Sequence, residues 1–328
     1  MNYSAFLITE TNEGFKNEII KKQIDELPAG DVLIKVFYSS LNYKDALSAT
    51  GNRGVTRNYP HTPGIDASGE VVSSLDDTFK TGDKVIVTGY DLGMNTSGGF
   101  QHYIRVPKEW VIKCPESLSL KEAMAIGTAG FTATLSVYKL IHQGIKTQDG
   151  PILVTGATGG VGSIAVMLLA QLGYQVVAAT RKTQNENFLK EIGCSEIIES
   201  ETLIDTSNKP FLKSKWKGVI DTVGGDLLAS VIKSVAYDGV VTTCGNVGGM
   251  TLNTTVFPFI LKGISLLGVD SVNCRRSIRE ELWDLLATDW KLKNLDSLVT
   301  EITLEDLNYY IDLILKGQNK GRTVINLK

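Results

Sequence analysis

In about the first 120 positions, apolar residues occur in short runs, and residues typical of turns separate these runs. Runs of four to eight residues bounded by Gly, Pro, Asn and Asp are typical of β-strands. The separating turns include Pro28–Asp31, Thr81–Asp83 and Ser97–Gly99. This part of the chain is therefore predicted to form a β-barrel-like domain. Its predicted strands are Ala5–Thr9, Val32–Ser39, Ile65–Val72, Lys84–Thr88 and His102–Val106, with one short helix at Asn42–Thr50.

The pattern changes near Leu120, where helix-forming residues begin, and strands then alternate with helices. Such alternation predicts a parallel, doubly wound α/β sheet. The predicted strands are Ile152–Thr155, Gln175–Thr180, Glu196–Ile198, Val219–Val223, Val240–Cys244, Ser265–Val269 and a final Arg322–Leu327. The predicted helices are Leu120–Leu140, Val161–Leu172, Glu186–Ile192, Ser277–Trp290 and Leu304–Lys316.

A glycine-rich turn, Gly156–Gly162, joins the first strand of the α/β part to its first helix. Glycines allow the backbone to turn sharply and to approach a pyrophosphate, which the free N–H groups of the helix N-terminus then bind. The alternative is a tight turn without a ligand. Its place between a strand and a helix favours a dinucleotide site.

The end of the next strand indicates which dinucleotide is bound. NAD sites place an Asp or Glu there for the ribose 2′-hydroxyl. This chain has Thr180, Arg181 and Lys182 instead, and cations of this kind pair with a 2′-phosphate. NADPH is therefore the predicted cofactor, although the two cations could also be solvated surface charges.

Length and composition narrow the function further. A chain of 328 residues is long for one hydrophobic core, so two domains are expected. A net charge of −3 without a basic stripe argues against a nucleic-acid partner. There is no secretory signal pattern, no apolar stretch that predicts a membrane span, and no C-x-x-C pair among the four cysteines, so a reducing cytoplasm is expected.

Several ordered motifs resemble the medium-chain dehydrogenase/reductase superfamily along essentially the whole chain. Within that superfamily the chain is similar to the acrylyl-CoA reductase and quinone oxidoreductase branch of the YhdH/YhfP type. The motifs are Ser39–Leu47, Pro63–Asp66, Gly127–Ala133, Val154–Gly162, Ile220–Gly225, Pro258–Leu261, Gly268–Val272 and Gly321–Arg322.

The resemblance implies the domain organisation and the cofactor contacts. A GroES-like catalytic domain would cover residues 1–122 and be completed by 291–328, with an NADPH-binding Rossmann domain at 123–290. Tyr43, Asn246 and Ser271 would lie near the nicotinamide. The pyrophosphate would be bound by Thr158, Gly159, Gly160 and Val161, and the 2′-phosphate by Thr180, Arg181 and Lys182. The branch often has Ser/Thr-Gly-Arg where this chain has Thr180–Lys182. Which of the two cations contacts the 2′-phosphate therefore stays open.

No metal is expected. Zinc-dependent relatives have a Cys near the position of Asn42 and Gly-His-Glu in place of Gly64–Asp66, whereas zinc needs three or four converging ligands. Without a metal, the simplest reaction is NADPH-dependent reduction of an activated carbon–carbon double bond. Tyr43 and Asn42 are the candidates that orient the reacting groups. Asn42 has a second interpretation as a helix cap, because Asp45 follows three residues later.

The resemblance points to acrylyl-CoA as the substrate, with a quinone or small enone as the alternative. The arginines available for the phosphates of a CoA ester are Arg53, Arg57, Arg275 and Arg276.

A short-chain dehydrogenase is excluded, because about 150 residues precede the glycine-rich turn and no Tyr-x-x-x-Lys follows it. An NADPH-binding sensor without turnover remains a hypothesis of another class. The family also suggests a homodimer, paired through the apolar strand at Ser265–Val269 if this is the sheet edge.

Overall fold

The computed structural model describes residues 2–207 and 209–328. The chain divides into two compact units. The first comprises Met1–Thr128, Val272–Asp289 and Asn294–Lys328, and the second comprises Ala129–Ser271 and Trp290–Lys293.

The first unit is built on a seven-stranded, mostly antiparallel sheet. Its strands run β14-β15-β3-β4-β5-β7, and β6 also pairs with β3. Strands β1 and β2 form a separate antiparallel hairpin. The elements are β1 Asn2–Thr11, β2 Gly14–Gln23, β3 Val32–Leu41, α1 Tyr43–Ala49, β4 Asp66–Ser74, β5 Lys84–Thr88, β6 Tyr103–Val106, β7 Val111–Lys113, α7 Arg276–Ala287, β14 Val299–Ile302, α8 Leu307–Leu315 and β15 Arg322–Asn326.

The first unit has a core formed by the inward faces of these strands and by helices α1 and α8. Val32, Ile34 and Val36 alternate on β3 with residues that face the other way, and all three are buried. Leu307 and Ile311 of α8 lie one helical turn apart and join the same core. The C-terminal part of the chain thus completes a core that the N-terminal strands begin.

The second unit contains a six-stranded parallel sheet in the order β10-β9-β8-β11-β12-β13. Numbered along the chain this order is 3-2-1-4-5-6, the arrangement of a dinucleotide-binding fold. The predicted α/β fold class is confirmed. The elements are β8 Ile152–Thr155, α3 Gly160–Gln171, β9 Val176–Thr180, α4 Glu186–Glu191, β10 Glu196–Glu199, β11 Trp216–Asp221, α5 Gly225–Lys233, β12 Val235–Thr243, α6 Phe257–Lys262 and β13 Ser265–Gly268.

Helix α2, Leu120–His142, is interrupted at Gly127, whose φ of 50° and ψ of −160° are not helical. By length and hydropathy alone α2 could cross a membrane, but 78% of its most apolar window is buried inside the protein. Core helices pass the same test. The helix therefore gives no support for a membrane span.

The units divide the chain differently from the predicted domains at residues 272–289, which the sequence placed with the Rossmann domain. Helix α7 packs into the first unit instead. Its Arg279 is 1% exposed and donates to the carbonyl oxygens of Thr88 at 2.9 Å and Val272 at 3.0 Å. Chain order alone does not show that α7 belongs to the first unit, because α7 is the next helix after the last strand of the parallel sheet.

Candidate active site

Apart from Tyr43, which belongs to the first unit, the residues predicted to bind the cofactor lie at the carboxyl ends of the parallel strands in the second unit. The glycine-rich turn follows β8, Thr180–Lys182 end β9 and continue it, Asn246 follows β12 and Ser271 follows β13. Because the strands are parallel, these are all carboxyl ends. Ligands of open α/β sheets bind at this edge, where the strand order reverses between β8 and β11.

The glycine-rich turn has the close packing that its sequence requires. Gly156 has a φ of 61°, and a Cβ on it would lie 2.3 Å from Thr222 Oγ1. A Cβ on Gly162 would lie 2.3 Å from Gly156 O. Gly159 is the N-cap of α3, and among the described residues a Cβ added to it would have one atom within 4 Å, Gly156 O at 3.3 Å. The N-terminus of a 12-residue helix thus has room for a phosphate group, which fits a dinucleotide.

The end of β9 carries hydroxyl groups and cations. Thr158 and Thr180 are buried, and their hydroxyls lie 3.3 Å apart. The backbone N–H of Lys182 donates to Thr180 Oγ1 at 3.0 Å. Arg181 is exposed, whereas Lys182 is half-buried, and burial followed by the charge of Arg181 lowers the pKa of Lys182. No carboxylate stands at this position, which fits a 2′-phosphate.

Asn246 and Ser271 differ in their surroundings. Asn246 is exposed in the loop after β12. Ser271 is 9% exposed and its hydroxyl accepts a hydrogen bond from Thr132 Oγ1 at 2.8 Å. Asn246 is therefore accessible from solvent, and Ser271 is held by α2.

A buried carboxylate that sequence reasoning missed joins the strand ends at this edge. Asp221, the last residue of β11, is 0% exposed and accepts from Thr155 Oγ1 at 2.8 Å and Thr243 Oγ1 at 2.9 Å. Its second oxygen also accepts from Gly224 N at 3.0 Å. Burial raises the pKa of Asp221. The available signal was a carboxylate at the end of an apolar strand, because a charge in such a buried position needs hydrogen-bond partners.

In the first unit, Tyr43 is the first residue of α1 and is 38% exposed. Asn42 precedes it and is buried. The N–H of Asn42 donates to Asp45 Oδ2 at 2.8 Å, and the two residues form a capping box, so the helix-cap interpretation is confirmed. Asp45 Oδ1 also accepts from Gly64 N at 3.1 Å and Ile65 N at 2.8 Å. The first turn of α1 is thereby attached to the segment before β4.

Next to this turn lies a buried charged cluster, the second feature that the sequence did not reveal. It consists of Ser40, Asn42, Asp45, Asp66 and Arg322, and it occupies the interruption of α2 at Gly127. All five are buried, and Asp45 and Asp66 are 0% exposed. A Cβ on Gly127 would lie 2.6 Å from both Asp66 Oδ2 and Ser40 Oγ. Its members come from β3, α1, β4 and β15, so only the fold brings them together.

Comparison with known proteins identifies the family. Residues 28–116 match the alcohol dehydrogenase GroES-like domain and residues 160–288 match the zinc-binding dehydrogenase family. YhfP of Bacillus subtilis, named for an inferred quinone oxidoreductase activity, is 45% identical over 92% of each chain. Acrylyl-CoA reductase AcuI of Ruegeria pomeroyi is 39% identical over 99% of each chain. The chain belongs to this acrylyl-CoA reductase and quinone oxidoreductase family of medium-chain dehydrogenases/reductases.

Solved structures of the family agree with this placement. The yhdH oxidoreductase from Salmonella enterica in complex with NADP is 42% identical over 100% of both chains, with a TM-score of 0.96. The yhfP protein of Bacillus subtilis with NAD bound is also 42% identical over 100% of both chains, with a TM-score of 0.97. The chain is thus a nicotinamide-dependent oxidoreductase of the medium-chain type.

One of the two matching families is named for zinc, so the metal ligands that this chain offers bear on its chemistry. Within residues 2–207 and 209–328, no group of three or more His, Cys, Asp and Glu side chains could hold a metal ion. Asn42, near whose position the resemblance places a Cys in zinc-dependent relatives, donates through Nδ2 to Asp66 Oδ2 at 2.8 Å. The donor set of this oxidoreductase does not fit zinc.

Two of the four arginines considered for CoA phosphates are engaged within the protein. Arg53 pairs with Glu10 and also donates to Arg57 O at 2.6 Å. Arg276 pairs with Glu280 at 2.8 Å and donates to Glu109 O at 3.1 Å. Arg57 and Arg275 are exposed and are the better candidates for an anionic ligand.

Proposed function

We propose that this oxidoreductase uses NADPH to reduce the carbon–carbon double bond of a short α,β-unsaturated acyl-CoA, acrylyl-CoA, to give propionyl-CoA. The observation that carries the proposal is the similarity to an acrylyl-CoA reductase over 99% of both chains. The side chains agree, because the described residues offer no zinc-ligand set that would activate an alcohol. An enoyl thioester needs no such activation, since its carbonyl oxygen accepts the negative charge.

We assign the cofactor to the carboxyl ends of the parallel strands in the second unit. The N–H groups of the turn from Thr158 to Val161, with Gly159 and Gly160, would bind the pyrophosphate. Thr180, Arg181 and Lys182 would bind the 2′-phosphate, with Arg181 as the exposed cation and Lys182 as the half-buried one. Asn246 and Ser271 would contact the nicotinamide end. NADPH, when bound, would supply the hydride that is added to the β-carbon, and a proton is then added to the α-carbon to complete the reduction.

We assign Tyr43 to the reacting end of the site. Addition of hydride to the β-carbon leaves negative charge on the thioester oxygen, and a hydrogen-bond donor lowers the energy of that state. Tyr43 is 38% exposed, and its hydroxyl is the group that we assign to this role. Asn42, whose side chain is buried, supports Tyr43 rather than touching the substrate.

The alternative substrate is a quinone or small enone, which the 45% identity to YhfP favours. Steady-state kinetics with acrylyl-CoA, crotonyl-CoA and a benzoquinone distinguish the two. We expect kcat/KM to be much higher for acrylyl-CoA, and Tyr43→Phe to lower kcat. A quinone that matches the thioester would favour the alternative. No NADPH consumption with any of the three would favour a sensor that binds NADPH without turnover.

We further propose that the reaction needs no metal. Prolonged chelation followed by elemental analysis and assay tests this, and full activity without zinc is expected. Stoichiometric zinc, with activity that returns only when zinc is restored, would contradict it.

We also propose a cytoplasmic homodimer. Strand β13 lies at the edge of the parallel sheet, where its outer side has no partner strand among the described residues. Helix α6 contacts β12 and exposes large apolar side chains, with Ile260 66% and Leu261 57% exposed. An apolar edge of this kind pairs readily with a second copy.

A further inference from the structure

Arg322 makes hydrogen bonds in four directions inside the charged cluster. Its Nε donates to Ala125 O at 2.8 Å and its Nη2 donates to Ser40 Oγ at 2.9 Å. Its Nη1 donates to Asn42 Oδ1 at 3.2 Å, and Nη2 also reaches Met124 O at 3.5 Å. The guanidinium thus contacts β3, the residue before α1 and the end of the first half of α2. Its nearest carboxylate is Asp66, with 4.0 Å between Nη2 and Oδ2.

The contact with Arg322 sets the orientation of the Asn42 amide. Because Oδ1 faces a donor, Nδ2 faces the two carboxylates, at 2.8 Å from Asp66 Oδ2 and 3.2 Å from Asp45 Oδ2. A flipped amide would place NH₂ against the guanidinium and oxygen against the carboxylates, which is unfavourable on both sides. Arg322 therefore fixes which way Asn42 points.

Asn42 and Asp45 in turn fix the first turn of α1. Asp45 Oδ2 accepts from both the backbone N–H and the side-chain amide of Asn42. Helix α1 has only seven residues and would be marginal without such contacts. Tyr43 lies between Asn42 and Asp45, and its half-exposed ring is not held by packing on all sides. Its place depends on the backbone of this turn.

We propose that Arg322 is a positioning residue for Tyr43 and acts through Asn42. The inference rests on the proposed role of Tyr43 at the reacting end of the site. Arg322 itself is 2% exposed and does not reach the substrate. Its effect is to hold the turn from which the Tyr43 hydroxyl is presented, so that a residue of the last strand controls the rate of the chemical step.

Arg322→Lys tests the proposal, because lysine keeps the charge but has one nitrogen and does not reach four partners. We expect kcat to fall by about tenfold or more, while KM for acrylyl-CoA and Kd for NADPH change by less than about twofold. Arg105→Lys is the matched control, since Arg105 also donates to backbone carbonyls in the first unit, at 3.3 Å from Leu27 O. It should leave all three constants unchanged.

A double-mutant cycle with Tyr43→Phe separates positioning from a general structural effect. If Arg322 acts through the Tyr43 hydroxyl, Arg322→Lys lowers kcat by less than about threefold in the Tyr43→Phe background. An equal loss in both backgrounds, a loss confined to KM or Kd, or a Tyr43→Phe enzyme with wild-type kcat would each overturn the proposal. The wild-type assay stands apart from this cycle, because only its failure overturns the proposed reaction.

A second readout does not depend on activity. Amide hydrogen exchange at Asp45 and Ala46, whose N–H groups donate to Asn42 O at 3.0 and 3.2 Å, should be faster in Arg322→Lys and unchanged in Arg105→Lys. If Arg322→Lys does not fold, Ser40→Ala removes one anchor of the guanidinium and should show the same pattern with a smaller loss of kcat. Unchanged exchange and unchanged kcat in Ser40→Ala would overturn the proposal.

Discussion

At the scale of single residues, the charged cluster of the first unit contains two carboxylates and one guanidinium with almost no exposure to water. Asp66 accepts from Ser40 Oγ at 2.6 Å and from Thr128 N at 3.0 Å, and Arg322 lies 4.0 Å away. Removing charges from water is costly, and here the cost is offset by hydrogen bonds to every charged group. Burial lowers the pKa of Arg322. Burial, followed by the charge of Asp66, raises the pKa of Asp45 to about 7.

The raised pKa of Asp45 predicts a pH-dependent stability. An unfolded aspartate loses its proton near pH 4, whereas Asp45 in the folded protein keeps its proton up to about pH 7. Between these values the folded state binds more protons, so stability falls as the pH rises, by at most about 1.4 kcal/mol per pH unit. Urea unfolding at pH 5, 6, 7 and 8 should show this slope, and Asp45→Asn should flatten it.

The comparison with Asp45→Asn is needed because other groups titrate in the same range. Burial lowers the pKa of His61, which gives a slope of the opposite sign. His61 is unchanged in the variant, so the difference between the two proteins isolates Asp45, whose charged neighbours are Asp66 and Arg322. Parallel pH curves for wild type and variant would contradict the prediction.

The residues after β9 predict cofactor selectivity. Charge-assisted hydrogen bonds contribute about 1.5–3 kcal/mol each, so Arg181 and Lys182 together should favour NADPH over NADH by about tenfold or more. Fluorescence titration of wild type and of the double variant Arg181→Ala/Lys182→Ala measures both affinities. The variant should lose affinity for NADPH but not for NADH. Lys190→Ala, in α4 of the same unit, is the control, because Lys190 pairs with Glu186 on the exposed face. Equal affinities for both cofactors in the wild type would refute the prediction.

At the scale of elements, the sequence predicted what local periodicity encodes. Strands β5 and β8 begin and end at the predicted residues, because runs of Val, Ile and Leu between turn residues define a buried strand. The sequence did not predict β2, which alternates between half-buried and exposed residues and carries three lysines. It also missed the interruption of α2, since Gly127 lies within an otherwise helix-forming segment.

In the candidate site, too, the sequence predicted the features that depend on nearby residues and missed those that depend on distant ones. Asn42 as a cap and the glycine-rich turn depend on neighbours within a few residues, and the structure shows both features where the sequence placed them. Asp66 and Arg322 have partners far away in the chain, and no local pattern reveals them. Their charges are compatible with burial only in the finished fold.

The interruption of α2 predicts a large effect of one methyl group. An alanine at position 127 would have a positive φ and a Cβ 2.6 Å from Asp66 Oδ2, so Gly127→Ala should destabilise the protein by about 2–4 kcal/mol. Urea unfolding followed by tryptophan fluorescence measures this. Gly82→Ala is the matched control, with a φ of 91° and no atom within 4 Å of the added Cβ, and it should cost about 1 kcal/mol. Equal costs for the two substitutions would show that the cluster tolerates the methyl group.

At the scale of the whole molecule, the chain leaves the first unit after Thr128 and returns to it at Val272. The sequence-based boundary at 290 reflects where the α/β pattern ends, whereas the fold returns one helix earlier. Burial of Arg279 and a hydrogen bond from Ser117 Oγ to Ala287 O at 2.7 Å hold that helix in the first unit. The local pattern of apolar and polar residues does not predict such contacts between distant parts of the chain.

The proposed homodimer predicts a mass twice that of the 35.7 kDa chain. Light scattering at micromolar concentration measures it. Ile260→Asp with Leu261→Asp places two charges on the exposed face of α6 and should give a monomer. Leu75→Asp is the control, because Leu75 is 87% exposed and belongs to the first unit. A monomeric wild type would refute the dimer.

The position of β15 has a consequence for synthesis on the ribosome. This strand is the last element of the chain, yet it lies inside its sheet, between β14 and β3. The N-terminal strands are synthesised first, but their sheet has an open edge and Asp66 lacks Arg322 beside it until β15 has been synthesised. The segment from Ala129 to Ser271 has its whole parallel sheet available earlier, so the middle of the protein is the first part able to fold. In this chain the order in which the segments are synthesised therefore differs from the order in which they can fold.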